Sequence, residues 1–338
     1  MAEQSLRPGR SCPVSYRYGA AALQRAIQIE AETLYIAGGM YGNPCALDAL
    51  LDLAARDQGA QIVFNGDFNW FNIDSATFRR INEAVLAHHA TRGNVETELA
   101  VAASGAGCGC GYPEWVGDAE VDRSNRIIEK LRETAARNAD ITSRLGALPA
   151  YLAARVGEVR IGIVHGDGES LAGWGFSQEI LATEEGRGVA RACFQLAGVG
   201  IFASSHTCLP VLQILDGAGG TCAIVNNGAA GMPNFQGTRY GLTTRISIRP
   251  APPGKRVYGA RIGSLYVDAV RIDFDAVAWD AAFLANWPAG SEAHISYYSR
   301  ICNGPGYTIG EANRPVADVW NRAHAPQGML ALLERFHA

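Results

Sequence analysis

The chain has 338 residues, more than a single core needs, so one large domain with a substantial C-terminal addition is expected. Its 29 Lys and Arg against 33 Asp and Glu give a net charge of -4 with no basic run, which argues against a nucleic-acid polymer as partner and leaves free nucleotides open. The opening MAEQSLRPGRSCPVSYRY lacks the apolar core of a secretion signal, no run is long enough to span a bilayer, and 8 cysteines are too few for a disulfide scaffold, so a cytoplasmic chain with reduced thiols and no membrane partner is expected.

Residues 1–30 read as an N-terminal leader ending in a helical stretch around 19–30. TLYIAGG then predicts a strand at about 33–38, and PCALDALLDLAARDQ a helix that opens on Pro44 and stops near Gly59. QIVFNGD reads as a buried strand, and a second helix is expected over 75–89. Strand, helix, strand, helix is the opening of an α/β domain. The glycine-rich SGAGCGCGYPEWVGD at 104–118 interrupts that order, and an amphipathic helix follows over 121–145. Three strands rich in β-branched residues are expected at about 159–165, 199–204 and 222–227. GLTTRISIR and KRVYGARIGSLYVDAVRIDF alternate like antiparallel strands, and short helices at about 276–285 and 327–336 close the chain. The division is thus a leader at 1–30, a core at 31–250, and strands and helices at 251–338 that complete or extend it.

Four metal-ligating residues stand at or just beyond the ends of short segments: Asp67, Asn94, His165 and His206. QIVFNGD delivers Asp67, RIGIVHGD delivers His165 before a turn that Gly166 permits, and VGIFASSHT delivers His206, whereas Asn94 in ATRGNVE has little strand character before it. Carboxylate, carboxamide and two imidazoles form a mixed N/O set suited to zinc, manganese or iron rather than calcium. Each also has a plain structural alternative: turn hydrogen bonding for Asp67 and Asn94, a satisfied core position for the histidines.

These segments resemble, in order, the blocks of the calcineurin-like metallophosphoesterases over about residues 33–247. AGGMYGN at 37–43 looks like the first block, GDFNW at 66–70 the Gly-Asp block and RGNVE at 92–96 the Gly-Asn-His block. VHGD at 164–167 looks like the lone-His block, SHTCLP at 205–210 the Gly-His-x-His block and NNGAAGMP at 226–233 the segment that often follows. The resemblance implies a four-layer αββα sandwich of two mixed sheets flanked by helices. It also implies a two-metal site, and one half is altered: the ligands of the first metal fall on Gly39, Tyr41, Asp67 and Cys208, so only the bridging Asp67 is kept. The second set, Asp67, Asn94, His165 and His206, is complete, which implies one divalent or trivalent ion, Mn, Fe or Zn. Tyr41 and Cys208 stand either as unusual ligands of a further ion or as filler of the vacated half-site.

By resemblance the chemistry is hydrolysis of a phosphodiester or an activated phosphomonoester by a metal-activated water, with Asp67, His165 and His206 as its catalytic residues. Turnover is expected to be weak with one ion, because the two-metal clamp on the entering and departing oxygens is lost, and Val95, in place of the histidine that in the family protonates or contacts substrate, disfavours poor leaving groups. Glu96 and Asp167 are candidates to orient the histidines. Arg92 and Arg300 are candidates to bind phosphate, with Tyr297 and Tyr298 set against a base or sugar, or against packing or a homo-oligomer contact. Cys108-Gly-Cys110 reads as a flexible loop able to cover the site, or as a redox or soft-metal pair. The other readings are a non-catalytic protein that binds a phosphorylated small molecule or a protein partner, and a two-metal enzyme using Tyr41 and Cys208.

Overall fold

Period-two alternation sets the layers. In β2 (Thr33–Ala37), Leu34 and Ile36 enter one core while Tyr35 and Ala37 enter another, and all four are fully buried. A strand buried on both faces belongs inside a layered structure rather than at its surface. The computed structural model, which describes residues 7–26, 28–101, 105–217 and 220–314, has two mixed sheets packed face to face with helices on both outer sides. This is the four-layer αββα arrangement.

The six-stranded sheet runs β11 (Arg256–Ile262), β12 (Leu265–Ile272), β10 (Gly241–Ser247), β2, β3 (Ala60–Asn65), β4 (His89–Thr91). Strands β2, β3 and β4 are parallel, and β10, β12 and β11 extend them antiparallel. The seven-stranded sheet runs β1 (Gln28–Ala31), β5 (Tyr151–Val156), β6 (Val159–Val164), β7 (Ile201–Ser204), β9 (Gly220–Asn226), β8 (Val211–Gly217), β13 (Asn313–Arg314), with β6, β7 and β9 parallel at its centre. Leu34, Ile36, Val63 and Ile246 of one sheet meet Ile161, Ile163, Ile201 and Val225 of the other.

Helices cover the outer faces. Over the six-stranded sheet lie α1 (Pro44–Ala55), α2 (Ser75–Val85), α4 (Asp118–Arg137), α5 (Ala139–Gly146), α8 (Ala276–Asn286) and α9 (Glu292–Asn303). The Asn43 side chain caps α1 by accepting from Ala46 N at 3.0 Å, and Leu47, Leu50 and Ala54 recur at helical spacing on its buried face. Over the other sheet lies α7 (Glu184–Ala197), capped by Thr183 and stopped by Gly198 at φ +63.

Several elements differ from the sequence reading, which placed no strand at β5 or β8. The stretch 19–30 is a 3-10 helix at Ala20–Arg25 followed by β1, because Leu23 is fully buried against Gly162, where an added Cβ would stand 2.7 Å from its Cδ2. The helix expected over 121–145 breaks at Asn138, whose Nδ2 donates to Thr134 O and Ser75 Oγ, giving α4 and α5. EAHISYYSRICN, to which the sequence reading assigned no element, is helical, as α9. The helix expected at 327–336 lies outside the described residues. Asp67, Asn94, His165 and His206 all follow parallel strands, so the topology gathers them along one edge where both sheets end.

Candidate metal centre

At the end of β3 the chain turns through Gly66 at φ +80 and Asp67 at φ +57. A Cβ at Gly66 would overlap the His165 ring and one at Gly93 would overlap the Asp67 carboxylate, so both glycines are needed for the loops to meet. Glu96, on α3 (Asn94–Ala100), braces the junction by accepting from the backbone N–H of Asp67 at 2.8 Å, Phe68 at 2.9 Å and Gly93 at 2.9 Å. Val95 N–H donates to Asp67 Oδ1 at 3.2 Å, and Asp67 Oδ2 is left 3.3 Å from His165 Nε2.

Backbone carbonyls set the remaining ligands. His165 Nδ1 donates to Asn65 O at 2.8 Å, which turns the lone pair of Nε2 inward. His206 Nε2 donates to Cys110 O at 2.8 Å and so turns Nδ1 inward, 3.3 Å from His165 Nε2. Asn94 Nδ2 donates to Cys108 O at 3.0 Å, which orients its Oδ1 to 3.2 Å from the same Nε2. Asp67, His165 and His206 each present a ligand atom within 4.8 Å of the others. With these tautomers, four lone pairs converge where one proton on His165 cannot satisfy three acceptors at once. A cation fits this donor set, and with Asp67, Asn94, His165 and His206 it meets the mixed N/O chemistry of Mn, Fe or Zn.

Charge follows the geometry. Burial opposes protonation of His165, but the adjacent Asp67 outweighs it and raises its pKa above the ordinary value. Burial likewise opposes ionisation of Asp67, yet His165 brings its pKa down. His206 is pushed down to about 4 by burial and then by His165. Glu96 is raised to about 7 by burial, then by Asp67.

The other half-site is filled. The Tyr41 ring occupies the space into which any side chain at Gly39 would project, and its hydroxyl lies 2.7 Å from Cys208 Sγ. Burial raises the pKa of both groups, which keeps phenol and thiol protonated. Tyr41, Asp67 and Cys208 are also the non-glycine residues with left-handed backbone among those described, at φ +53, +57 and +62, so backbone strain concentrates at this edge.

The remaining sequence candidates lie elsewhere or do something else. Glu96 bonds to backbone amides and to neither histidine. Asp167 accepts from the N–H groups of Glu169, Ser170 and Gly175 within its own loop. Arg92 turns to Gly146 O and Leu148 O, and Arg300 donates to Pro233 O and Cys208 O. Tyr298 stacks between Phe283 and His294, and Tyr297 packs on Phe71. Cys108 and Cys110 are buried in the glycine-rich loop, whose carbonyls meet Asn94 and His206, and the Cys110 thiol also accepts from Asn94 Nδ2 at 3.6 Å. Trp174 was not anticipated: its Nε1 also donates to Cys110 O, at 3.0 Å, and its ring stands edge-on to His206 at 5.7 Å.

No protein-family profile matches the chain, and no curated protein matches it. Solved structures do. A metallophosphoesterase from Sphaerobacter thermophilus superposes with a TM-score of 0.51 at 17% identity, covering 81% of this chain and 100% of that one. A hypothetical protein from Pyrococcus horikoshii OT3 gives 0.55 at 13% identity, covering 81% and 99%. The chain therefore has the fold of the calcineurin-like metallophosphoesterases and carries, among the described residues, a single candidate metal-binding triad of Asp67, His165 and His206.

Proposed function

We propose that the chain is a one-metal phosphoesterase that hydrolyses a phosphodiester or an activated phosphomonoester. The observation that carries this is the buried cluster of four inward lone pairs, each aimed by a hydrogen bond on the far side of its own group. A bound ion would supply Lewis-acid charge to a phosphoryl oxygen and make water more acidic. The protein's own part is alignment and access. Asn65 and Cys110 fix the two imidazoles, while Asp67 and His206, 6% and 7% exposed against 1% for Asn94 and His165, mark the side from which substrate enters. Val95, fully buried, offers no proton to a departing group, which restricts turnover to esters whose leaving group is already stable as an anion.

The filled half-site favours a second reading, a non-catalytic binder of a phosphorylated ligand. Metal analysis of purified protein, followed by assay with bis(4-nitrophenyl) phosphate and 4-nitrophenyl phosphate in Mn, Zn or Fe, separates the two. One equivalent per chain with slow diester turnover is expected, and His165→Ala or His206→Ala should lower metal affinity at least about tenfold and abolish turnover. One tightly held equivalent without turnover supports the binder; a protein that takes up none of the three metals refutes both readings.

A further inference from the structure

The mouth of the metal centre is aromatic. Trp174 stands edge-on to His206 at 5.7 Å, Tyr112 packs on Trp174 at 5.9 Å, and Trp115, 37% exposed, continues the cluster at 6.3 Å. Tyr297, packed on Phe71, adjoins Tyr112 and lies within electrostatic reach of Cys208 and Cys110. Trp174, Tyr112 and Tyr297 are all partly exposed, whereas the ligands behind them are buried. The indole is held in place, since its N–H donates to the same Cys110 carbonyl that orients His206. Ring and metal centre are therefore fixed relative to each other through one atom.

Cationic groups contribute little here. Arg92 is spent on the carbonyls of Gly146 and Leu148, and Arg300, whose charge is felt at Tyr41 and Cys208, donates through Nε and one Nη to Pro233 O and Cys208 O. A phosphomonoester dianion needs charged donors to balance its second charge; Arg92 is turned away from the ligand set, and Arg300 has its Nε and one Nη committed to backbone carbonyls. A diester carries one negative charge, which a single ion with neutral histidines balances more closely.

We infer that the ligand of this site is a monoanionic phosphodiester bearing at least one flat aromatic group, phenyl or nucleobase, stacked against Trp174. This rests on the metal-centre reading proposed above and adds the substrate class. An aromatic ester also meets the demand set by Val95 when the aryl oxygen is the leaving atom, because an aryl oxide departs without protonation more readily than an alkoxide.

The test is calorimetric binding to the zinc-loaded protein of three monoanionic diesters, diphenyl phosphate, methyl thymidine 5′-phosphate and dimethyl phosphate, with metal content measured on every variant. At least one aromatic diester is expected to bind roughly five- to tenfold tighter than dimethyl phosphate, and which one identifies the source of the ring. Trp174→Ala should remove that preference, and Trp174→Phe, which keeps a ring but loses the N–H, should retain most of it. Equal binding of all three diesters by the wild-type protein overturns the inference, as does a preference that survives in Trp174→Ala at full metal occupancy. Should Trp174→Ala lose its metal, the wild-type comparison and Trp174→Phe decide. Turnover is recorded in parallel: aromatic preference without hydrolysis defeats only the esterase reading, and hydrolysis without aromatic preference defeats only this one.

Discussion

Protonation acts differently on the two histidines because Asp67 outweighs burial at His165 and does not at His206. Burial and then His165 push His206 down to about 4, so it stays neutral near neutral pH. For His165 burial pulls the same way, but Asp67 outweighs it and lifts the value above 6.5. In the metal-free protein the raised His165 thus contributes stability that is fully present below 6.5 and is lost as pH rises through the higher folded value, whereas the contribution of the lowered Asp67 is present above 3.8 and is lost as pH falls through its folded value. A cation replaces that proton. Metal uptake at pH 6 should therefore release about one proton per chain, and apparent affinity should climb by up to about tenfold per pH unit until His165 is neutral. Calorimetry in two buffers of different ionisation enthalpy measures the release; two protons, or none, would show that the roles of His165 and His206 are misassigned. At this scale Asp67, His165 and His206 were legible because each follows an apolar run that ends in a turn. Asn94 was less so, since β4 before it has three residues. The carbonyls of Asn65, Cys108 and Cys110 that aim the ligands left no mark, because a backbone oxygen belongs to every residue type.

The glycine-rich loop shows how an irregular element can be a rigid support. Gly105, Gly107, Gly109 and Gly111 all have φ between +58 and +76, a zigzag that aims the carbonyls of Cys108 and Cys110 at Asn94 and His206. Gly109 sits against Tyr16, whose hydroxyl donates to Glu98 at 2.6 Å, and an added Cβ would overlap that hydroxyl and stand 2.9 Å from Glu98 Cγ. Gly109→Ala must shift the loop or the Tyr16–Glu98 pair, and it also strains a left-handed residue. Its expected signature is metal affinity lowered about ten- to hundredfold with secondary structure unchanged by circular dichroism. Wild-type affinity in a folded Gly109→Ala protein would show that the carbonyls are dispensable. The composition of this loop was legible and its role was not, since glycine spacing reports conformational freedom without saying what the freedom is used for. The stretch at 19–30 failed for a related reason: AAALQR favours a helix by local propensity, but burial of Leu23 and pairing of Gln28–Ala31 with β5 override it.

Each sheet contributes two of the four ligands, Asp67 and Asn94 after β3 and β4, His165 and His206 after β6 and β7, so a cation at this edge joins both layers of the molecule. That architecture was legible from the order of the blocks, in which Asp67, His165 and His206 each follow an apolar run. The packing of the vacated half-site was not, because it depends on where one ring lies. The Tyr41 ring alone supplies the nearest obstacles to a side chain at Gly39, and Gly39 itself is not left-handed, so its neighbour rather than its backbone forbids aspartate. Gly39→Asp by itself is therefore expected to destabilise the fold by about 1–3 kcal/mol through overpacking, measured as a lower denaturation midpoint. Adding Tyr41→His clears the space, and Cys208→His supplies the last ligand; both positions have positive φ, which histidine tolerates better than most residues. The three changes act on one shell and have to be made together, because neighbouring substitutions are not additive. A folded triple variant is expected to hold a second equivalent of metal and to hydrolyse bis(4-nitrophenyl) phosphate at least about a hundredfold faster, the scale of one strong electrostatic contact to the transition state. If it binds two ions with turnover unchanged, the missing half-site is not what limits the chemistry, and the limit moves to Val95, where the buried chain has no proton to give.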